Sequence, residues 1–313
     1  MESTEVDRWA SPPIPRQVGR LAVITGGADG LGYETALALA QAGADVIVAA
    51  ENEIEGRYAI GRIRPASPSA LVRFEKLDTG NLKSVGEFAG RLARSGHAID
   101  LLINGAGVTP SARRLTTSDG FERNLGANYL GHFALTALLL PLLRRSRQPR
   151  VVQISSLGHR RGAIHFDDLQ LERGYFPWKA FCQSKLAMLI FALELQRRSN
   201  LHGWGLISTA AHPGYTQGEP LGNGFGPRSL FRKLRGSLGV LASHSAPEAA
   251  QPALFAATAF DVKRGGFYGP SGPFELVGSP AEATIARNAK DLAVACRLWE
   301  VSEQLTGVQW PEE

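Results

Sequence analysis

Short, continuous apolar runs alternate with helical stretches along most of the chain. Leu21-Ala-Val-Ile-Thr25 is an apolar run that ends in a glycine-rich turn, and residues 33–41 then repeat apolar positions at a helical period and stop at Gly43. The unit recurs. Residues 45–50, 71–74, 99–103 and 151–154 read as buried strands, with helical stretches between them, while 205–210 and 265–268 fit a sixth and a seventh strand. Long helices are predicted over 121–143 and 178–198, both apolar on more than one face. Strands that do not alternate need cover on both sides, and repeated βα units with right-handed crossovers supply it. The pattern predicts one α/β domain, a doubly wound parallel sheet in a three-layer α/β/α arrangement.

The ends and one internal segment depart from this pattern. Residues 1–19 carry Ser, Pro and charge around Trp9 and read as a loose N-terminal tail, which leaves 20–313 for the domain. Residues 217–246 are rich in Gly, Pro and Ser around Leu230, Phe231, Leu234 and Leu238, and read as a lid over a substrate pocket. The other reading of that segment is a basic amphipathic helix lying on a membrane surface.

Composition narrows the function classes. With 313 residues and 44% apolar content the chain can bury a large core. No window offers the roughly 18 unbroken apolar residues of a membrane span, and the N-terminus lacks a signal pattern, so a cytoplasmic protein without membrane contact is expected. Cys182 and Cys296 are the only cysteines, too few for a disulfide framework and not spaced for zinc, so no metal is expected. The formal charge of +5 comes with scattered Arg pairs such as Arg113/Arg114 and Arg197/Arg198, which suit solvated helix faces better than nucleic acid.

The chemistry starts at Thr25-Gly-Gly-Ala-Asp-Gly-Leu-Gly32. Strand before and helix after place Gly26, Asp29, Gly30, Leu31 and Gly32 where backbone can approach a pyrophosphate and a helix N-terminus can stabilise its charge. This predicts a Rossmann-type dinucleotide site. The chain here resembles the short-chain dehydrogenase/reductase family, whose Thr-Gly-x-x-x-Gly-x-Gly pattern is matched by Thr25, Gly26, Gly30 and Gly32. Asp78 follows the third strand where the family's Asp borders the adenine, and Asn104-Gly-Ala-Gly107 follows the fourth where the family has Asn-Asn-Ala-Gly. The segments Asn128-Tyr-Leu-Gly-His-Phe133, Ile154-Ser-Ser-Leu-Gly-His159 and Phe166-Asp-Asp-Leu169 are similar to retinol-dehydrogenase-like members and their bacterial relatives.

The resemblance implies an NAD(P)-dependent oxidoreductase. Cofactor choice rests on the end of the second strand, where NADP-preferring relatives commonly carry Arg and this chain has Glu51; Asp29 adds a second carboxylate, so NAD is favoured over NADP. In the family a Tyr hydroxyl exchanges the oxygen-bound proton, Ser fixes the substrate oxygen, Lys lowers the Tyr pKa and holds the ribose, and Asn positions a proton-relay water. Carried over residue by residue, Asn falls on Asn128, Ser on Ser156 and Lys on Lys185. The Tyr position, four residues before Lys185, is Phe181, within Ala180-Phe-Cys-Gln-Ser-Lys185. Cofactor contacts are further implied at Asn104, Gly105, Ala106, Pro213, Gly214 and Thr216. Gly105 replaces the second Asn of the strand-four motif, and Gly218 stands where relatives have a Thr that meets the carboxamide, with Thr216 as a substitute.

Three functions fit these residues. The first is an alcohol dehydrogenase or ketoreductase in which Tyr175, Tyr215, a water on Ser156 or the substrate replaces the phenol. Its ligand would be bulky and apolar, given the rings at Phe166, Tyr175, Phe176, Trp178, Trp204, Tyr215, Phe225 and Phe231. The second is non-redox chemistry on the same scaffold, such as cyclisation, isomerisation or dehydration. The third is a catalytically impaired nucleotide-binding protein or variant, since Tyr to Phe removes the proton and keeps the packing. The apolar faces of the helices bearing Asn128 and Lys185 suggest a homodimer or homotetramer, because in many relatives they pack on a symmetry mate.

Overall fold

The computed structural model describes residues 13–216 and 243–312. Five of the strands fall where the apolar runs end against glycine or polar turns: β1 Leu21–Thr25, β2 Asp45–Ala50, β3 Val72–Lys76, β4 Leu101–Asn104 and β5 Arg150–Ile154. β6 Ile207–Ala211 and β7 Phe267–Pro270 follow, each about two residues later than the apolar pattern suggests. An eighth strand, β8 Pro280–Glu282, was absent from the sequence pattern: it is three residues long, begins on proline and runs antiparallel to β7. The sheet order is β3-β2-β1-β4-β5-β6-β7-β8, parallel from β3 through β7. The order reverses direction between β1 and β4, which opens a crevice at their carboxyl ends.

Helices α1 Gly30–Gln41, α2 Glu53–Ala66 and α6 Ala246–Thr258 cover one face of the sheet. Helices α3 Leu82–Ser95, α4 Gly131–Leu143, α5 Pro177–Leu201 and α7 Leu292–Thr306 cover the other. The long helix expected over 121–143 starts later, because the Glu122 carboxylate accepts from the Asn124 and Leu125 N–H groups and so caps it from outside. Its first turns, Leu125–Leu130, are π-helical, with the Gly131 N–H reaching back to Gly126 O. Leu125–Leu143 is long and apolar enough to cross a membrane by composition, yet most of it is buried in the core.

Two boundaries change. The chain packs on the body before Arg20: Gln17 is buried and its N–H donates to Ala42 O at 2.8 Å. Residues 217–242 of the expected lid, including Gly218, Phe225 and Phe231, lie outside the described residues, as does Trp9. The end of that segment is not lid, for His244 is buried and Ser245 forms a capping box with Glu248 at the start of α6.

The ground for expecting a symmetry mate is also altered. The apolar faces of α4 and α5 are filled from within the chain by α7 and the segment after it: Phe133 lies 5.0 Å from Trp299 and 5.6 Å from Trp310, Phe191 lies 5.9 Å from Trp299, and Tyr129 Oη pairs with Ser302 Oγ.

Candidate active site

The glycine turn after β1 is shaped by close backbone approach. A Cβ on Gly26, at φ +68, would lie 2.8 Å from Ala106 Cα, and one on Gly32 would lie 2.0 Å from Gly26 O. Gly30 differs, because a Cβ there would meet nothing within 4 Å. Its open side adjoins the first turn of α1, where the exposed Asp29 makes no side-chain cap bond and no acidic residue stands. A helix N-terminus without a side-chain cap or an acidic residue in its first turn, next to an open glycine, fits a pyrophosphate.

Glu51 after β2 and Asp78 after β3 line one depression of about 370 Å³, where the sequence places the adenosine. One Asp78 carboxylate oxygen accepts from Gly80 N–H at 2.7 Å. The sequence reading overlooked Lys76 and Lys83, which line the same depression; Lys83 stands 4.0 Å from Glu87.

Thr25 and His132 tie the turns together. Thr25 Oγ1 accepts from the N–H groups of Gly105 and Ala106, both at 2.9 Å, and lies 2.8 Å from His132 Nε2. The other ring nitrogen, Nδ1, is 2.8 Å from the Asn128 carbonyl, which only accepts, so Nδ1 carries the proton and Thr25 donates to Nε2. His132 was quoted in the sequence motif without a role; its place four residues after Asn128, on the same helix face, was the available clue. Asn104 turns inward instead of toward the crevice, its amide donating to Thr136 Oγ1 and Gln153 Oε1. Gly105 leaves room where a Cβ would lie 3.1 Å from Thr25 O.

Asn128, Ser156, Phe181 and Lys185 lie together beyond these turns. Asn128 Oδ1 accepts from Val108 N–H at 2.7 Å and its amide donates to Ser184 Oγ at 3.0 Å, one residue before Lys185. Lys185 Nζ donates to Ile154 O at 3.1 Å and lies 5.8 Å from the Phe181 ring centroid. Ser156 caps the short 3-10 turn Leu157–Arg161, its Oγ accepting from Gly158 N–H. Gly158 in turn faces Phe181, whose Cε1 would be 3.2 Å from a Cβ there, and Trp178 stacks on Phe181 at 5.3 Å. Of the suggested replacements for the phenol, Tyr175 points elsewhere, donating to Ser111 O at 2.8 Å. Cys182, next to Phe181, has its thiol pushed up to about 12 by burial, so it is not a nucleophile at neutral pH.

After β6, Pro213, Gly214 and Thr216 form a loop held from behind. His244 Nδ1 donates to Pro213 O, and Thr216 pairs with His244. Among the described residues no His, Cys, Asp and Glu cluster could hold a metal.

The sequence profile described as short chain dehydrogenase matches residues 20–223. The chain belongs to that family. Mouse (Mus musculus) polyprenol dehydrogenase is 38% identical over 301 residues, covering 95% of this chain and 86% of its own. Human (Homo sapiens) retinol dehydrogenase 13 is 38% identical over 297 residues, covering 94% and 86%. A crystal structure of an uncharacterised protein from Mycobacterium Paratuberculosis is 37% identical with a TM-score of 0.80, covering 97% of this chain and 99% of that one. These matches make the chain an NAD(P)-dependent short-chain dehydrogenase/reductase of the retinol-dehydrogenase-like branch, and an oxidoreductase.

Buried histidines contribute to the acid sensitivity of this enzyme. Burial lowers His132 and His159 to about 4, the carbonyls of Asn128 and Ser156 opposing it, and burial lowers His212 as well. Unfolded, each binds a proton near pH 6.5, so below that the unfolded state holds more protons and gains. Stability is complete above about pH 6.5 and is lost as pH falls toward 4. Thermal midpoints measured without cofactor should fall steadily across that window; a flat profile would mean that these rings are solvated.

Proposed function

We propose that this enzyme is NAD-linked and interconverts a bulky apolar alcohol with its ketone or aldehyde, without a phenol at the point of proton exchange. The carrying observation is that Ser156, Asn128 and Lys185 surround Phe181 at the carboxyl edge of the sheet while the ring alone occupies the Tyr position. When bound, the nicotinamide supplies or accepts hydride at the substrate carbon. Ser156 Oγ accepts from Gly158, which leaves its own proton to donate to a substrate oxygen. The Lys185 ammonium, anchored on Ile154 O, can donate to ribose hydroxyls. Phe181 and Trp178 form an aromatic wall that keeps water from the reacting carbon, and suits an apolar ligand. The oxygen-bound proton then exchanges with a water held at Ser156 rather than with the protein's own acid.

The names of the relatives, polyprenol and retinol dehydrogenases, support an apolar alcohol. The exposed Glu51 supports NAD, since its carboxylate can accept from ribose hydroxyls and repels a 2′-phosphate. Dissociation constants for NADH and NADPH test this half of the reading: NADH should bind tighter, and tighter NADPH would reassign the depression to Lys76 and Lys83. Consumption of NADH with a panel of aryl and isoprenoid ketones or aldehydes tests the other half. Conversion of substrate without change in nicotinamide absorbance would favour non-redox chemistry.

A further inference from the structure

A cluster of charged and polar side chains lies behind the site described so far. Glu275 sits in the loop between β7 and β8, and its carboxylate gathers groups from three parts of the chain. Oε2 accepts from Arg160 at 2.6 Å and from His212 Nε2 at 3.0 Å, while Oε1 accepts from Thr284 N–H at 3.0 Å. Arg160 belongs to the turn capped by Ser156, and His212 opens the loop that carries Pro213, Gly214 and Thr216. His212 Nδ1 accepts from Gly214 N–H, so the proton lies on Nε2 and is aimed at Glu275. The His212 side chain is fully buried and Glu275 is 16% exposed. One backbone bond completes the bracing, from Tyr215 N–H to Leu276 O.

The chain accepts poor backbone geometry to put that carboxylate there. Phe274 and Glu275 are consecutive non-glycine residues in the left-handed region, at φ +55 and +59. Such positions persist where the surroundings over-determine them, and they concentrate at functional sites. The Phe274 ring gains no burial in return, being 81% exposed, and only its carbonyl joins the cluster, accepting from Arg160 at 3.4 Å. Gly269 on β7 makes the opposite accommodation, because a Cβ there would lie 2.0 Å from His212 Nε2.

We infer that Glu275 is a positioning residue for the nicotinamide half of the cofactor site, holding the Ser156 turn and the 212–216 loop in one fixed relation through Arg160 and His212. This rests on the reading that the 212–216 loop meets the nicotinamide. In this role Glu275 acts through its protein partners, satisfying both donors at one anionic oxygen. A glutamine keeps one oxygen for Arg160 and His212 but loses the negative charge that strengthens both bonds, and it turns amide hydrogens toward the Thr284 N–H.

Glu275→Gln should therefore weaken NADH binding by about tenfold or more and leave ADP-ribose binding unchanged, since ADP-ribose lacks the nicotinamide. Equal weakening of both ligands would mean general structural damage, and no change in either would mean that the cluster is inert; each result overturns the proposal. If Glu275→Gln does not fold, Arg160→Gln removes one partner from the more exposed side and should give the same selective loss. Phe274→Gly relieves backbone strain without touching the carboxylate and should keep NADH affinity while raising the thermal midpoint; selective loss of NADH there would transfer the role to the loop's shape and overturn the assignment to Glu275. Should the unaltered enzyme bind neither ligand, the cofactor reading itself fails, which is distinct from binding both and losing no selectivity in Glu275→Gln.

Discussion

Phe181→Tyr should raise NADH-dependent reduction of bulky aryl ketones by about tenfold or more, a modest part of the roughly 10²–10⁴ that a positioned general acid typically contributes. The residue sits one helical turn before Lys185 on the same face of α5, with Lys185 Nζ 5.8 Å from its ring centroid. A phenol there would have an ordinary pKa of about 10, and the ammonium beside it would lower that value toward neutrality. The backbone carbonyl of residue 181 is already fixed by Ser184 Oγ, which in turn is held by Asn128, so the ring position should survive the change. The check is steady-state reduction by the parent and the variant at equal NADH saturation. A variant that binds NADH as its parent does and gains nothing across a broad ketone panel would defeat the missing-acid account.

Lys185→Ala should weaken NADH binding by about one to two kcal/mol, roughly five- to thirtyfold, the worth of charge-assisted hydrogen bonds to ribose hydroxyls. Without a Tyr to tune, binding is the part of the Lys role that remains. The side chain is buried and its Nζ is anchored on Ile154 O, the last residue of β5, so the ammonium is fixed before any ligand arrives. Fluorescence titration with NADH measures the effect. An unchanged dissociation constant would take Lys185 out of the cofactor site.

The parts of the fold visible in the sequence are those in which local pattern and burial agree. β1 and β2 are unbroken apolar runs buried on both faces, and the glycines of the β1 turn are where backbone approach demands them. Asn128, Ser156 and Lys185 were reached only through the family resemblance, on motifs that follow or lie within strongly patterned elements. What stayed hidden depends on contacts between distant segments. β8 has no periodicity to show, and Glu275 meets His212 across 63 residues from an irregular loop. The filling of the α4 and α5 faces by Trp299 and Trp310 could not be read from those helices alone, since an apolar face looks the same whether a neighbour or a partner covers it. The inward turn of Asn104 is a side-chain choice between the crevice and Gln153 that spacing does not decide.

The central claim is that this site transfers hydride even though Phe181 brings no proton. Its most direct test is incubation of the unaltered enzyme with NADH carrying deuterium at the transferable C4 position and a bulky apolar ketone, followed by mass spectrometry of the product. The account predicts an alcohol heavier by one mass unit, with the label on the carbinol carbon. An enzyme that binds NADH yet returns an unlabelled product, or converts its substrate with the deuterium still on the cofactor, would contradict it.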